Sequence, residues 1–205
     1  MPDFRFEELA QAQGYNVICG VDEAGRGSWA GPVVAGAVIL DREKLTDNFL
    51  DNLDDSKKLK PARREELFEE LRLCANIGIG QSDVIEIDKV NILKATLSAM
   101  ARAVRNLNTH TDFVLVDGNV APKLSCHSEC IVRGDSLSMS IAAASIIAKV
   151  TRDRIMADLA CAYPGYGWDR NVGYGTQKHR EAIEKYGVTI QHRKSYKPIK
   201  KILGL

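Results

Sequence analysis

An apolar run at residues 17–21, VICGV, delivers two adjacent carboxylates, Asp22 and Glu23, into a glycine loop, AGRGSWAG, that carries one cation, Arg26. Behind Pro32 a second apolar run follows at residues 33–40. Two Val- and Ile-rich segments of strand length separated by a Gly/Pro loop predict consecutive strands. The chain therefore opens its sheet with a hairpin-like pair and sets two acids at the mouth of a buried strand. Burying even a neutral polar group without a partner costs about 2–7 kcal/mol, so these acids require compensation from Arg26, water or a divalent cation.

The remaining pattern predicts an alternation of helices and strands. A short helix over residues 5–13 ends at Gly14. Residues 41–55, with six acids and two bases, read as a solvated loop closing in DDSKKLK. Pro61 suits the first position of a helix whose apolar face is Leu67, Phe68, Leu71 and Cys74. Residues 76–81 alternate Ile and Gly as a short strand, and Ser82 and Asp83 offer a helix cap. Residues 92–107 then carry an amphipathic pattern at Leu93, Leu97, Met100, Val104 and Leu107.

A strand at 113–116 ends in Asp117-Gly118-Asn119, and another at 130–133 ends in Gly134-Asp135-Ser136. An Ala- and Ile-rich helix from about 137 to 162 is stopped by Pro164. A Tyr/Gly loop precedes a last helix over 176–186, capped by Gly187. The order argues for an α/β layer structure with a mixed sheet and a helical C-terminal portion. We expect residues 1–162 to form the core and residues 163–205 a loop, helix and basic tail that make one structural unit with it.

At 205 residues the chain suits one domain. Its formal net charge is only +1, so a nucleic-acid surface has to be local; residues 178–205 hold eight Lys/Arg against two Glu. The mixed charges of MPDFRFEELA do not resemble a signal peptide, and no apolar run approaches the roughly 18 residues of a membrane span. A cytoplasmic protein without membrane attachment is expected, and five irregularly spaced cysteines fit reduced thiols there. Cys126, His127 and Cys130 lack the second ligand pair of a zinc site and read as strand residues. His110, His127, His179 and His192 form no ligand-spaced pair.

Three strand ends thus deliver acids: Asp22 with Glu23, then Asp117, then Asp135. Ligands of open α/β sheets gather at strand ends, and several carboxylates in one pocket repel each other unless cations neutralise them. Hard oxygen ligands select magnesium or manganese, and two such ions about 3.5–4 Å apart suit phosphodiester hydrolysis. Simpler roles compete: Asp117-Gly118 as a turn, Asp135 as a helix cap, Asp22 as the partner of Arg26. Glu23 raises a geometric difficulty, since neighbours on a strand point to opposite faces, so it can join Asp22 in one site only if the strand bends or ends there, and Gly25 offers such a bend. A dinucleotide-binding reading of Gly25, Gly27 and Gly31 is disfavoured, because a strand rather than a helix follows and the acids would repel phosphate.

Assembled, these motifs resemble the ribonuclease HII family over essentially the whole chain. The similarity rests on VDEAGRGSWAGPVVAGAV, DSKKL from Asp55, VDGN at Asp117, GDS at Asp135, SIAAASIIAKVTRD from Ser140 and GYGT at Gly173, in that order. It implies a ribonuclease H-like fold with a mixed central sheet flanked by helices and a small helical C-terminal extension. It implies two-metal-ion hydrolysis, with Mg2+ or Mn2+, of the phosphodiester 5′ of a ribonucleotide in RNA/DNA hybrids and in duplex DNA with embedded ribonucleotides, leaving 3′-hydroxyl and 5′-phosphate ends.

The resemblance places the catalytic, metal-holding quartet on Asp22, Glu23, Asp117 and Asp135. It gives the reading of the ribose 2′-hydroxyl to Gly25, Arg26 and Gly27, and a stacking role on the following sugar to Tyr174. Lys57, Lys58 and the basic tail from Arg193 to Lys201 are candidate phosphate contacts, and Ser145 and Lys149 candidate nucleic-acid contacts. Tyr163, Tyr166 and Trp168 are weaker candidates nearby. The sister type, ribonuclease HIII, usually has Glu at the fourth acidic place and a large N-terminal domain; Asp135 and the short stretch before the first strand favour type HII. A monomer is expected. A resolvase-type nuclease of the same fold class and a non-catalytic hybrid-binding module are the alternatives.

Overall fold

The computed structural model describes residues 1–205. Its centre is a five-stranded mixed sheet of β1 (Ile18–Ala24), β2 (Val33–Leu40), β3 (Ala75–Ser82), β4 (Phe113–Asp117) and β5 (His127–Ile131), in the order β3-β2-β1-β4-β5. The first three strands pair antiparallel, while β4 joins β1 and β5 joins β4 in parallel. Helices cover both faces: α1 (Arg5–Ala12), α3 (Pro61–Cys74) and the long α6 (Met139–Ala162) on one, and α4 (Val84–Val90) and α5 (Ile92–Arg105) on the other.

Glycines decide how closely these layers approach. A Cβ on Gly20 would lie 2.1 Å from the carbonyl carbon of Ser140, and one on Gly36 2.6 Å from the carbonyl oxygen of Ala144. The alanine-rich stretch of α6 therefore sits almost on the backbones of β1 and β2, close enough for its polar residues to reach the sheet end. The opposite face works in the same way: a Cβ on Gly78 or Gly80 would lie 2.0 or 2.1 Å from the carbonyls of Ala103 and Ala99.

That close approach corrects the face expected for the fifth helix. Ala95, Ala99, Met100 and Ala103 are buried, whereas Leu93 is 42% exposed and Leu97, Val104 and Leu107 only border the core. Large side chains would hold the helix off the Ile/Gly strand, so alanine takes the inner face.

Other boundaries also differ. The acidic segment expected as loop contains α2 (Asp47–Asn52), capped by Thr46 and fastened by the buried side chains of Phe49 and Leu53. The strand expected at 130–133 lies earlier, at β5, because pairing with β4 runs from His127 to Ile131 and Arg133 adopts a left-handed conformation at φ 59°. Beyond α6 come α7 (Trp168–Asn171), α8 (Gln177–Tyr186) and α9 (Lys197–Leu203). The last was not foreseen; Pro198 in its first turn and the fully buried Ile199 anchor it. Trp168, Tyr166, Ile183 and Ile199 pack with Ala30 and Met156 in one cluster, which joins the C-terminal elements to the glycine loop and to α6.

Candidate active site

The register of two strands brings the first acids together. β1 and β4 run parallel with Val21 beside Val116 as their last paired residues, so one step further Asp22 and Asp117 stand on neighbouring strands and on the same face. One ligand oxygen each from Asp22, Glu23 and Asp117 lie within 4.8 Å of one another. Glu23 joins at the end of the strand, the second of the two expected routes: β1 stays paired with β2 through Ala24 and stops before Gly25 at φ +96°. Its pairing with β4 stops at Val21. Glu23 lies past the end of that pairing, and its carboxylate meets those of Asp22 and Asp117 there.

Backbone donors fix the aspartates. The Glu23 N–H donates to Asp22 Oδ1 at 2.7 Å, and the Gly134 N–H donates to Asp117 Oδ1 at 2.7 Å. Arg26 pairs with Glu23, Nη1 to Oε1 at 3.2 Å, rather than with Asp22. Asp22 is only 3% exposed and has no cation in ion-pair range. Burial, then the charges of Glu23 and Asp117, push its carboxyl well above the usual range. Burial also raises Glu23, against the pull of Arg26, and raises Asp117, with Asp135 adding to the effect. Crowded acids that resist ionisation gain most from a positive ion, and a set made only of carboxylate oxygens is a hard donor set for a divalent cation.

Asp135 stands just outside this trio. It is 6% exposed and receives a hydrogen bond from Lys57 Nζ at 3.0 Å. Burial lowers the pKa of that lysine, but Asp135 and Asp22 outweigh it and hold the ammonium charged. The loop carrying Lys57 is pinned from two sides. The Ser56 N–H donates to Ser145 Oγ at 3.2 Å, and Arg64 Nη1 donates to the carbonyls of Ser56 at 3.0 Å and Leu59 at 2.7 Å.

A cavity of about 200 Å³ opens over the trio, lined also by Gly25, Arg26, Gly27, Lys57, Lys149, Arg152 and Tyr174. Gly25 has φ +96° and leaves no room for a side chain, because a Cβ there would fall 1.9 Å from Arg152 Nε. Gly27 is open, with Tyr174 Cε1 at 3.5 Å from the position of its missing Cβ. Tyr174 is 44% exposed at the rim. Lys149 lines the same wall, and its Nζ donates to Asp153 Oδ1 at 2.7 Å.

Several expected contacts lie elsewhere. Lys58 is absent from the cavity wall and pairs with Asp54 at 2.9 Å. Ser145 is 1% exposed and donates to the Ala142 carbonyl at 2.8 Å, so it supports the Lys57 loop and cannot touch a nucleic acid. Arg193 is fully buried, leaving the exposed lysines of the tail as candidate phosphate contacts. Trp168 and Tyr166 are core residues. Arg152 was missed, although an arginine seven residues after Ser145 on an apolar helix was a readable sign of an inward-facing cation. His179 and His192, thirteen residues apart, meet at 3.1 Å between their Nε2 atoms; their spacing carried no such signal.

The chain is similar to several known proteins. A family model described as Ribonuclease HII matches residues 19–199. The chain is 52% identical over 203 residues to a Ribonuclease HII of Ruegeria pomeroyi, covering 98% of this chain and 85% of the relative. It is 50% identical over 200 residues to a Ribonuclease HII of Paramagnetospirillum magneticum, covering 97% of each. Among solved structures, ribonuclease H2 from Pyrococcus horikoshii superposes with a TM-score of 0.75 at 30% identity, covering 91% of this chain and 97% of that one.

Proposed function

The chain belongs to the ribonuclease HII family and is an endoribonuclease of RNA/DNA hybrids, and from that premise we propose which residues cut and which read the substrate. The family is divalent-metal dependent, and the carboxylate cluster fits that need. Asp22 and Asp117 would hold the metal, with Glu23 and Asp135 beside them. The observation that carries this assignment is the meeting of Asp22, Glu23 and Asp117 oxygens within 4.8 Å at a buried strand end. Two magnesium or manganese ions bound there would supply an activated water and charge stabilisation at the leaving oxygen.

The chain's own groups do the rest. Arg26 orients Glu23 through their ion pair. Gly25, Arg26 and Gly27 bring backbone groups up to the ribose, where a side chain would block approach, and read the 2′-hydroxyl that distinguishes RNA from DNA. Tyr174, beside Gly27 at the rim, stacks on the sugar that follows. Lys57 faces the phosphate from the side of Asp135, and Lys149 lines the same wall. Such phosphate contacts supply affinity rather than sequence readout.

The substrates in this reading include duplex DNA with embedded ribonucleotides as well as long hybrids. The carboxylate cluster is assembled from strands of one chain, and the reading takes the enzyme as a monomer. The shared cluster of the C-terminal elements with Ala30 and Met156 supports residues 163–205 as one unit with the core at 1–162. No helix is long and apolar enough to cross a membrane, in keeping with a cytoplasmic enzyme. The test is cleavage mapping on a duplex with one ribonucleotide, comparing magnesium with manganese. A cut on the 5′ side leaving 3′-hydroxyl and 5′-phosphate is expected; a cut elsewhere, or one that survives chelation, rejects the reading.

A further inference from the structure

The two halves of the proposed recognition surface, the Arg26–Gly27 backbone and Tyr174, are held from behind by consecutive residues near the end of the chain. His192 and Arg193 both have no exposed surface. Their segment is sewn to the glycine loop: the Gly31 N–H donates to the Gln191 carbonyl at 2.9 Å and the Arg193 N–H to the Trp29 carbonyl at 2.8 Å.

Arg193 spends its guanidinium on the loop itself. Nε donates to the Gly31 carbonyl at 3.0 Å, Nη2 to Pro32 at 3.1 Å, and Nη1 to Arg26 at 3.0 Å and to the Tyr196 hydroxyl at 2.8 Å. The Tyr196 hydroxyl donates in turn to the Arg26 carbonyl. A buried cation satisfied by carbonyls and a phenol rather than by a carboxylate is an expensive way to stabilise a fold. A rigid planar fork is nevertheless well suited to fixing three carbonyls relative to one another.

His192 acts on the other half through a second imidazole. Its Nδ1 faces the Thr189 N–H and hydroxyl, both at 2.9 Å, which leaves the proton on Nε2. That proton points to His179 Nε2 at 3.1 Å, where Trp168 Nε1–H also donates at 3.0 Å. His179 consequently carries its own proton on Nδ1 and donates it to the Tyr174 carbonyl at 2.9 Å. Burial, then the neighbouring His179, lowers His192 to about 4, so it stays neutral in this chain of donors.

We propose that His192 and Arg193 are specificity-positioning residues that set the gap between the Arg26–Gly27 backbone and Tyr174, and thereby the preference for a ribose followed by a deoxyribose over a continuous ribose strand. The inference rests on the roles given above to Gly27 and Tyr174. A continuous RNA strand adds a 2′-hydroxyl to the sugar lying against Tyr174, whereas a single embedded ribonucleotide does not. A narrow, fixed gap tells these apart; a loose one accepts both.

The test measures kcat/KM for Arg193→Lys and Tyr196→Phe on a duplex with one ribonucleotide and on an all-RNA/DNA hybrid, under the same salt and magnesium. Melting temperature and Mn2+ affinity by calorimetry are recorded for each. Arg193→Lys keeps the charge but cannot hold three carbonyls. Its single-ribonucleotide preference is expected to fall about tenfold while Mn2+ affinity stays at the parent value. Tyr196→Phe should shift the ratio in the same direction by less. Equal loss on both substrates, or an unchanged ratio, overturns the proposal. Should Arg193→Lys fail to fold, an unchanged ratio in Tyr196→Phe overturns it alone. Tyr174→Ala run in parallel separates the two levels: if Tyr174→Ala changes the ratio and the other variants do not, this inference fails, whereas an unchanged ratio in Tyr174→Ala refutes the underlying role of Tyr174.

Discussion

Lys57 Nζ sits 3.0 Å from Asp135 Oδ2 although the lysine side chain is 68% exposed and that of Asp135 only 8%. An ion pair with one member so exposed contributes little to stability. Its value lies in position, because it holds an ammonium group at the edge of the acidic cavity where a substrate phosphate arrives. For Lys57→Met we expect an unfolding free energy within about 1 kcal/mol of the parent. Catalytic efficiency should drop, and log kcat/KM should depend on log salt with a slope shallower by about 1. An unchanged slope would show that Lys57 meets no phosphate.

Gly25 and Gly27 separate two reasons for glycine. Gly25 at φ +96° would drive a Cβ into Arg152 Nε, so Gly25→Ala should destabilise the fold by about 2–3 kcal/mol. Gly27 has ordinary space around its missing Cβ, so Gly27→Ala should melt near the parent yet lose cleavage because the methyl occupies the approach to the ribose. Thermal unfolding and a cleavage assay on the same preparations check the pair. A Gly27→Ala variant with parental activity would remove this loop from ribose reading.

Ser145 tests support from beneath the site. Ser145→Ala leaves the buried Ser56 N–H without its acceptor, a loss of about 1–3 kcal/mol. Denaturant unfolding should register that loss. Activity should fall through a higher KM as the Lys57 loop slackens, and a fall in kcat alone would argue against this route.

The crowded acids make a linkage prediction. Asp22 is raised by burial first and then by Glu23 and Asp117, so the folded chain keeps that proton above the unfolded value of about 3.9. The associated stability is complete below that value and is lost as pH rises through the folded pKa. With a chelator at neutral pH, Asp22→Asn should therefore be more stable than the parent, and the difference should vanish in acid. Magnesium or manganese should raise the melting temperature of the parent and leave that of Asp22→Asn nearly unmoved.

What the sequence disclosed, and what it did not, follows from the range of the interactions. Apolar runs ending in Asp22, Asp117 and Asp135, with a glycine loop beside the first, were local patterns and gave the mixed sheet and the site candidates. The register that places Asp22 next to Asp117 depends on parallel pairing between segments almost a hundred residues apart. The entry of Glu23 into the same cluster depends on where the pairing of β1 with β4 stops. The alanine face of α5 became intelligible only once Gly78 and Gly80 lay under it. Ser145 read as a surface group because its partner, Ser56, is remote in sequence. His192 and Arg193 looked like part of a basic tail, and only the fold turns them inward.

Binding and cleavage of a duplex carrying one ribonucleotide, measured in magnesium for the parent and for Asp22→Asn, separate the role of the strand-end carboxylates in cutting from any role in holding the substrate. Asp22→Asn should fold and bind the duplex without cutting it, while the parent cuts once, on the 5′ side of the ribonucleotide. Near-parental cleavage by Asp22→Asn would contradict the assignment of the strand-end carboxylates as the centre of the reaction.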